Sequence, residues 1–248
     1  MTSLIDFFVQ LNWLAVGQII LIDLLLGGDN AILIALACRN LPEQLRLKGI
    51  LWGTVGAIAI RIVLISFAVS LLDVPFLKLV GGALLIWIGV KLLAEGTGEH
   101  GEVNASSRLM GAIRTIIVAD LVMSFDNVVA VASAADQGGG EHKLALVVFG
   151  ILISIPIVVW GSTLVLKLME RLPIIITLGA ALLGYLGGAM IVSDSAVAPW
   201  LAAHWQQLSM NLNLFGMRIN WIGLLAAVGV VALGMLLARR NAVATSQH

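Results

Sequence analysis

Charge is scarce in this chain. Asp, Glu, Lys and Arg make up 11% of its 248 residues and hydrophobic residues 60%, whereas a soluble domain is about 25% charged and about 45–50% apolar. That composition excludes an ordinary water-soluble fold and identifies an all-α polytopic membrane protein. The formal net charge is zero, so nothing favours a nucleic-acid partner. Cys38 is the one cysteine, which excludes an intramolecular disulfide and a cysteine metal cluster. Histidine is missing from the apolar runs: His100, His142, His204 and His248 all fall in loops or at the terminus. Imidazole-bound zinc, nickel or copper is therefore disfavoured inside the membrane. The segment Met1-Thr2-Ser3-Leu4-Ile5-Asp6 lacks the basic region of a secretory signal, so the first apolar run is read as a retained span.

What the chain does have is apolar runs. Stretches long enough for the roughly 20 residues of a bilayer crossing lie at 12–37, 49–72, 76–94, 110–135, 144–168, 173–193 and 220–238. They predict seven transmembrane helices within a single membrane domain, 1–248. The polar stretch 95–108 separates two three-helix units, 12–94 and 110–193. A second interruption, 194–219, is read as a periplasmic or interfacial segment, and 220–238 as a peripheral seventh span. Leu201, Trp205 and Leu208 share one helical face in that interruption, which suits a short amphipathic helix as well as a plain loop. Basic residues orient the spans. With the N-terminus outside, the cytoplasmic side holds Arg39, Arg46, Lys48, Lys91, Arg108, Arg114, Lys167, Arg171, Arg239 and Arg240. The other side holds Lys78, Lys143 and Arg218, and Arg61 lies within the bilayer. The C-terminus and the 95–108 linker are then cytoplasmic.

The two units repeat one phrase. Asp23-Leu24-Leu25-Leu26-Gly27-Gly28-Asp29-Asn30 returns 97 residues later as Asp120-Leu121-Val122-Met123-Ser124-Phe125-Asp126-Asn127. Trp52-Gly53 matches Phe149-Gly150 at the same offset, and the run from Gly81 to Gly89 matches that from Gly179 to Gly187 at an offset of 98. Three spans is an odd number, so the second unit enters from the opposite face. Such inverted-topology repeats are how secondary transporters build a site near the membrane midplane.

Each phrase places carboxylates in apolar surroundings. One charged side chain at a helix centre costs roughly 2.5–3.5 kcal/mol, so four cost on the order of 10 kcal/mol unless a ligand, proton or partner compensates. On a helix, Asp23, Asp29 and Asn30 fit within an arc of roughly 120–140°, as do Asp120, Asp126 and Asn127. Gly27-Gly28 gives the first span a place to unwind. Facing each other, the phrases offer four carboxylates and two amide oxygens, a hard donor set suited to Mg2+, Ca2+ or Mn2+. With Arg61, four ionised aspartates leave −3 in the interior. A divalent cation reduces that to −1, and shared protons neutralise the remainder. Cation binding coupled to proton release follows as an expectation. Arg61 has Val158 at the corresponding position of the second unit, and its expected role is counter-ion to one aspartate rather than gate. Met123, one turn from Asp120 and Asp126, is read as packing, with a softer ligand to Mn2+ as the alternative.

The paired Asp-Asn phrases, seven spans and polar central loop resemble the TerC family of integral membrane proteins, named for tellurium resistance, over about residues 10–238. That family includes bacterial manganese exporters. The resemblance implies a multi-pass protein of the bacterial inner membrane that exports Mn2+, with Asp23, Asp29, Asn30, Asp120, Asp126 and Asn127 holding the ion. Mn2+ is then cargo, and no prosthetic group is expected. The partners implied are the lipid bilayer, the metal ion and protons. Three rival readings remain at this point. An exporter of an organic solute such as an amino acid would need a larger, less acidic pocket. A structural partner of another transporter would need no site. An intramembrane aspartyl protease would need two aspartates sharing a proton, but not the extra aspartate and asparagine of each phrase, so the chain is not read as an enzyme.

Overall fold

The structure is a computed structural model. It describes residues 28–72, 74–95, 105–137, 143–204, 212–214 and 217–245, with Gly17 and Leu21, and side chains within 28–64, 74–95, 105–124, 152–204 and 220–240. Helix α1 spans Gly28–Cys38, α2 Glu43–Leu72, α3 Leu77–Ala94, α4 Ala105–Gln137, α5 Lys143–Arg171, α6 Ile174–Val192, α7 Val197–His204 and α8 Trp221–Thr245. Among the described residues, five helices are long and apolar enough to cross a membrane: Glu43–Leu64 of α2, α3, Leu152–Arg171 of α5, α6, and Trp221–Arg240 of α8. Among the described residues the strands are two, β1 (Leu212–Leu214) pairing antiparallel with β2 (Met217–Ile219), Leu212 opposite Ile219. This hairpin occupies part of the segment expected as an amphipathic helix or loop. The short α7 occupies another part, burying Leu201 and leaving Trp200 exposed. Trp205 and Leu208 lie outside the described residues.

From Ala31 onward helix α1 is apolar on every side, which suits a protein core or a lipid-facing span alike. Leu33 to Cys38 are all buried, and α1 packs against α2, α4, α5 and α6. Helix α4 is surrounded in the same way, by α1, α2, α3 and α5. Its Ile116, Ala119 and Val122 join the α1 side chains in one core. Met123, buried, belongs to that core. The outer surface is apolar too: Trp52, Val80, Trp87, Trp160, Leu178 and Val228 are exposed. Hydrocarbon accommodates such a surface and water does not.

Small residues set how the helices meet, because between helices in lipid close backbone approach supplies the packing energy. Gly53 and Gly56 of α2 lie against Ile116 and Ile117 of α4. Numbering increases along both helices, so α2 and α4 run parallel. Between α3 and α6 the order is reversed. A Cβ on Gly187 would stand 2.6 Å from the Gly82 carbonyl oxygen, and one on Gly89 would stand 3.2 Å from that of Ala180. Those two helices cross antiparallel. Helix α8 completes this second cluster, its Val230 filling the space beside Gly89 and Gly184.

Helix α3 has both ends held by distant charges. It begins after Val74-Pro75-Phe76, with Phe76 at φ 64° and no side-chain cap. Instead Asp194, 1% exposed just beyond α6, accepts from the backbone N–H of Phe76 (3.2 Å), Lys78 (3.1 Å), Leu79 (3.1 Å) and Ala196 (2.9 Å). Burial acts to raise the Asp194 pKa, but the four N–H donors outweigh it and hold the carboxyl below its ordinary value. At the other end Arg39 Nη2 donates to the carbonyls of Leu92 (2.8 Å) and Glu95 (2.6 Å), and Asn40 Nδ2 to Glu95 (3.0 Å). An anion at the first turn and a cation at the last both suit the helix dipole.

Candidate functional site

The described residues of the two acidic phrases meet where α1, α2 and α4 pack. Asp29 and Asn30 stand in the first turn of α1, Asp120 and Ser124 in α4, and Arg61 in α2. Asn30, Arg61, Asp120 and Ser124 are all buried. Asp29 lies within electrostatic reach of both Asp120 and Arg61. The first phrase and the second are thus neighbours in space.

Arg61, Asp120 and Ser124 close a ring. Arg61 Nη2 donates to Asp120 Oδ1 at 2.6 Å, Arg61 Nε to Ser124 Oγ at 3.1 Å, and the Ser124 hydroxyl to Asp120 Oδ2 at 3.2 Å. Both carboxylate oxygens are engaged. Arg61 was expected as counter-ion to one of the aspartates, and its described ion pair is with Asp120. Ser124 was not expected to take part. Its signal is its place four residues after Asp120, the spacing that stacks side chains on one helix face.

The first phrase is arranged otherwise. Asp29 Oδ1 and Asn30 Oδ1 are buried with no hydrogen-bond partner. A buried polar atom left unpaired costs about 1–3 kcal/mol, so two adjacent oxygens in this condition represent a standing cost. On α2, Thr54 Oγ1 is buried and unpaired too, two helical turns before Arg61 on the same face. No group of three His, Cys, Asp or Glu forms a ready metal cage among the described residues. Of the six candidate ligands, Asp29, Asn30 and Asp120 are placed. Asp23 lies outside the described residues, as does Gly27 with its expected unwinding, and Asp126 and Asn127 are described only as part of the α4 backbone.

The sequence profile of the integral membrane protein TerC family matches residues 8–242. The chain is 45% identical over 183 residues to the uncharacterized membrane protein YjbE of Bacillus subtilis, covering 74% of this chain and 81% of that one. It is 25% identical over 199 residues to the UPF0053 inner membrane protein YgdQ of Escherichia coli, covering 73% and 81%. Identity to the uncharacterized membrane protein YceF of B. subtilis is 23% over 172 residues, covering 65% and 64%. No solved structure matches the chain.

Proposed function

We propose that this chain, which belongs to the TerC family of integral membrane proteins, carries a divalent cation across the bacterial inner membrane, with Mn2+ efflux as its activity and protons as counter-ions. The observation that carries this reading is the pair of buried, unpartnered oxygens, Asp29 Oδ1 and Asn30 Oδ1, beside the charge of Asp120. Oxygens without hydrogen-bond donors are what a hard cation requires. Carboxylate and amide oxygens suit Mn2+ better than Zn2+ or Cu2+. In this reading Asp29 and Asp126 are the central ligands, Asn30 and Asn127 add amide oxygens, and Asp23 and Asp120 complete the shell or carry the exchanging protons.

The helix pairings support an inverted repeat around such a site. Exchanging α1 with α4, α2 with α5 and α3 with α6 turns the neighbours of α1 into the neighbours of α4. The same exchange relates the α2·α4 packing to that of α1 on α5. The parallel α2–α4 and antiparallel α3–α6 crossings are those expected of six spans in inverted threes, whichever face the N-terminus takes; in this reading it is outside and the α3–α4 linker is cytoplasmic. Alternating access would then be rocking of one unit against the other around the central α1–α4 pair.

The test is flux in proteoliposomes with Mn2+, Mg2+, Ca2+ or Zn2+ and a pH-sensitive dye. Native protein is expected to move Mn2+ with opposite proton movement. Asp29→Asn and Asp126→Asn, which keep side-chain shape, are each expected to lower that flux at least a hundredfold with insertion and folding intact. Native-like flux in both variants overturns the cation site and favours an organic solute.

A further inference from the structure

We infer that Arg61 is the resident cation of the transport pathway: it occupies Asp120 in exchange with the transported ion and makes the return of the unloaded carrier possible. This rests on the cation-carrier reading above. Arg61 Nη2 lies 2.6 Å from Asp120 Oδ1, and Ser124 links Arg61 Nε to Oδ2. A carboxylate whose two oxygens already accept from Arg61 and Ser124 has less charge to give a divalent ion. A guanidinium and a doubly charged metal on one carboxylate also repel each other. Arg61 and the ion therefore alternate at Asp120 rather than share it.

The alternation has a use. A carrier that has released its cation must reorient with its carboxylates still in low-dielectric surroundings, where bare charge is costly. A buried guanidinium is a permanent cation, because arginine does not deprotonate in proteins. Swinging onto Asp120, it pairs the carboxylate that the ion has left, without drawing on solvent. One such group suffices. The second unit has Val158 at the matching position, so the device is built into one half of an otherwise repeated frame. In this role Arg61 is a positioning residue: it acts on the ion through Asp120.

Two transport modes separate this role from mere structural support. Isotope exchange, with Mn2+ on both sides, needs only the loaded carrier to reorient. Net efflux also needs the unloaded carrier to return. Arg61→Gln is expected to hold exchange within about twofold of native, slow net efflux at least tenfold, and tighten Mn2+ binding severalfold because a competitor has gone. Arg61→Lys should restore net efflux. A parallel fall in both modes, or Mn2+ binding no tighter than native, overturns the inference and leaves the cation carrier standing. Native protein that moves Mn2+ in neither mode overturns both. If Arg61→Gln is not recovered folded, Arg61→Lys decides. One ammonium engages Asp120 or Ser124 less completely than the guanidinium engages both, so Mn2+ should bind severalfold tighter with net efflux kept. Equal or weaker binding overturns the inference.

Discussion

Asp194 and Asp29 are both held by helix termini, and the protein treats them in opposite ways. Asp194 receives four backbone N–H groups from two chain segments more than a hundred residues apart, and neither of its oxygens is idle. Asp29 keeps one oxygen buried and unpaired, next to an asparagine in the same condition. The difference teaches which carboxylate serves the fold. A structural anion has its hydrogen-bond capacity filled, because the unfilled part is a direct loss of stability. An anion kept partly unfilled bears that loss, which the proposed cation would offset. Asp120 stands between the two, filled by Arg61 and Ser124, partners that can swing away as a backbone amide cannot.

Removal of Asp194 should give the largest effect on stability. Asp194→Ala leaves the first turn of α3 without its cap and several buried amides without an acceptor, at about 1–3 kcal/mol for each group that water cannot reach. A total loss of about 2–4 kcal/mol is expected. Thermal unfolding of detergent-solubilised protein should show it as a lower midpoint, with Mn2+ binding by the folded fraction unchanged. Native-like unfolding would remove the contrast with Asp29.

Asp29→Asn should act in the other direction. It deletes a partly buried charge whose Oδ1 has no partner, and it relieves repulsion from Asp120. Unfolding should therefore be unchanged or later by up to about 1 kcal/mol, although metal-dependent stabilisation is lost. A destabilised Asp29→Asn protein would place Asp29 with Asp194 among the structural anions.

The acidic phrases were legible because isolated carboxylates in apolar runs have few explanations. The choice of Asp120 as the partner of Arg61 was not. It depends on how α2 and α4 align, and that follows from Gly53 and Gly56 meeting Ile116 and Ile117, a register that two leucine- and glycine-rich spans do not declare. Asp194 was read only as the start of a loop. Its role is written 115–118 residues away, in amides that look like any others. One local sign existed: α3 opens after Pro75-Phe76 with no Ser, Thr, Asp or Asn at the capping position, so its cap had to come from elsewhere. The hairpin at 212–219 pairs two segments of three residues, too short for an alternating pattern to emerge from the apolar background.

The smallest effect near neutral pH, and the sharpest on the origin of Asp194's contribution, is its acid dependence. The amides hold the folded Asp194 carboxyl below its ordinary value, which is about 3.9 in an unfolded chain. A depressed folded pKa means that the unfolded state takes up the proton first as pH falls. Stability from Asp194 is therefore fully present above about pH 4–5 and is lost as pH falls toward the folded pKa. The measurement is the unfolding midpoint of native protein minus that of Asp194→Ala across pH 8 to 3. The difference should stay flat down to about pH 5 and narrow only in the acid limb below it. A difference that narrowed already between pH 7 and pH 5 would mean that burial outweighs the four amides, and Asp194 would then be a raised carboxyl that folding tolerates rather than a clasp that folding uses.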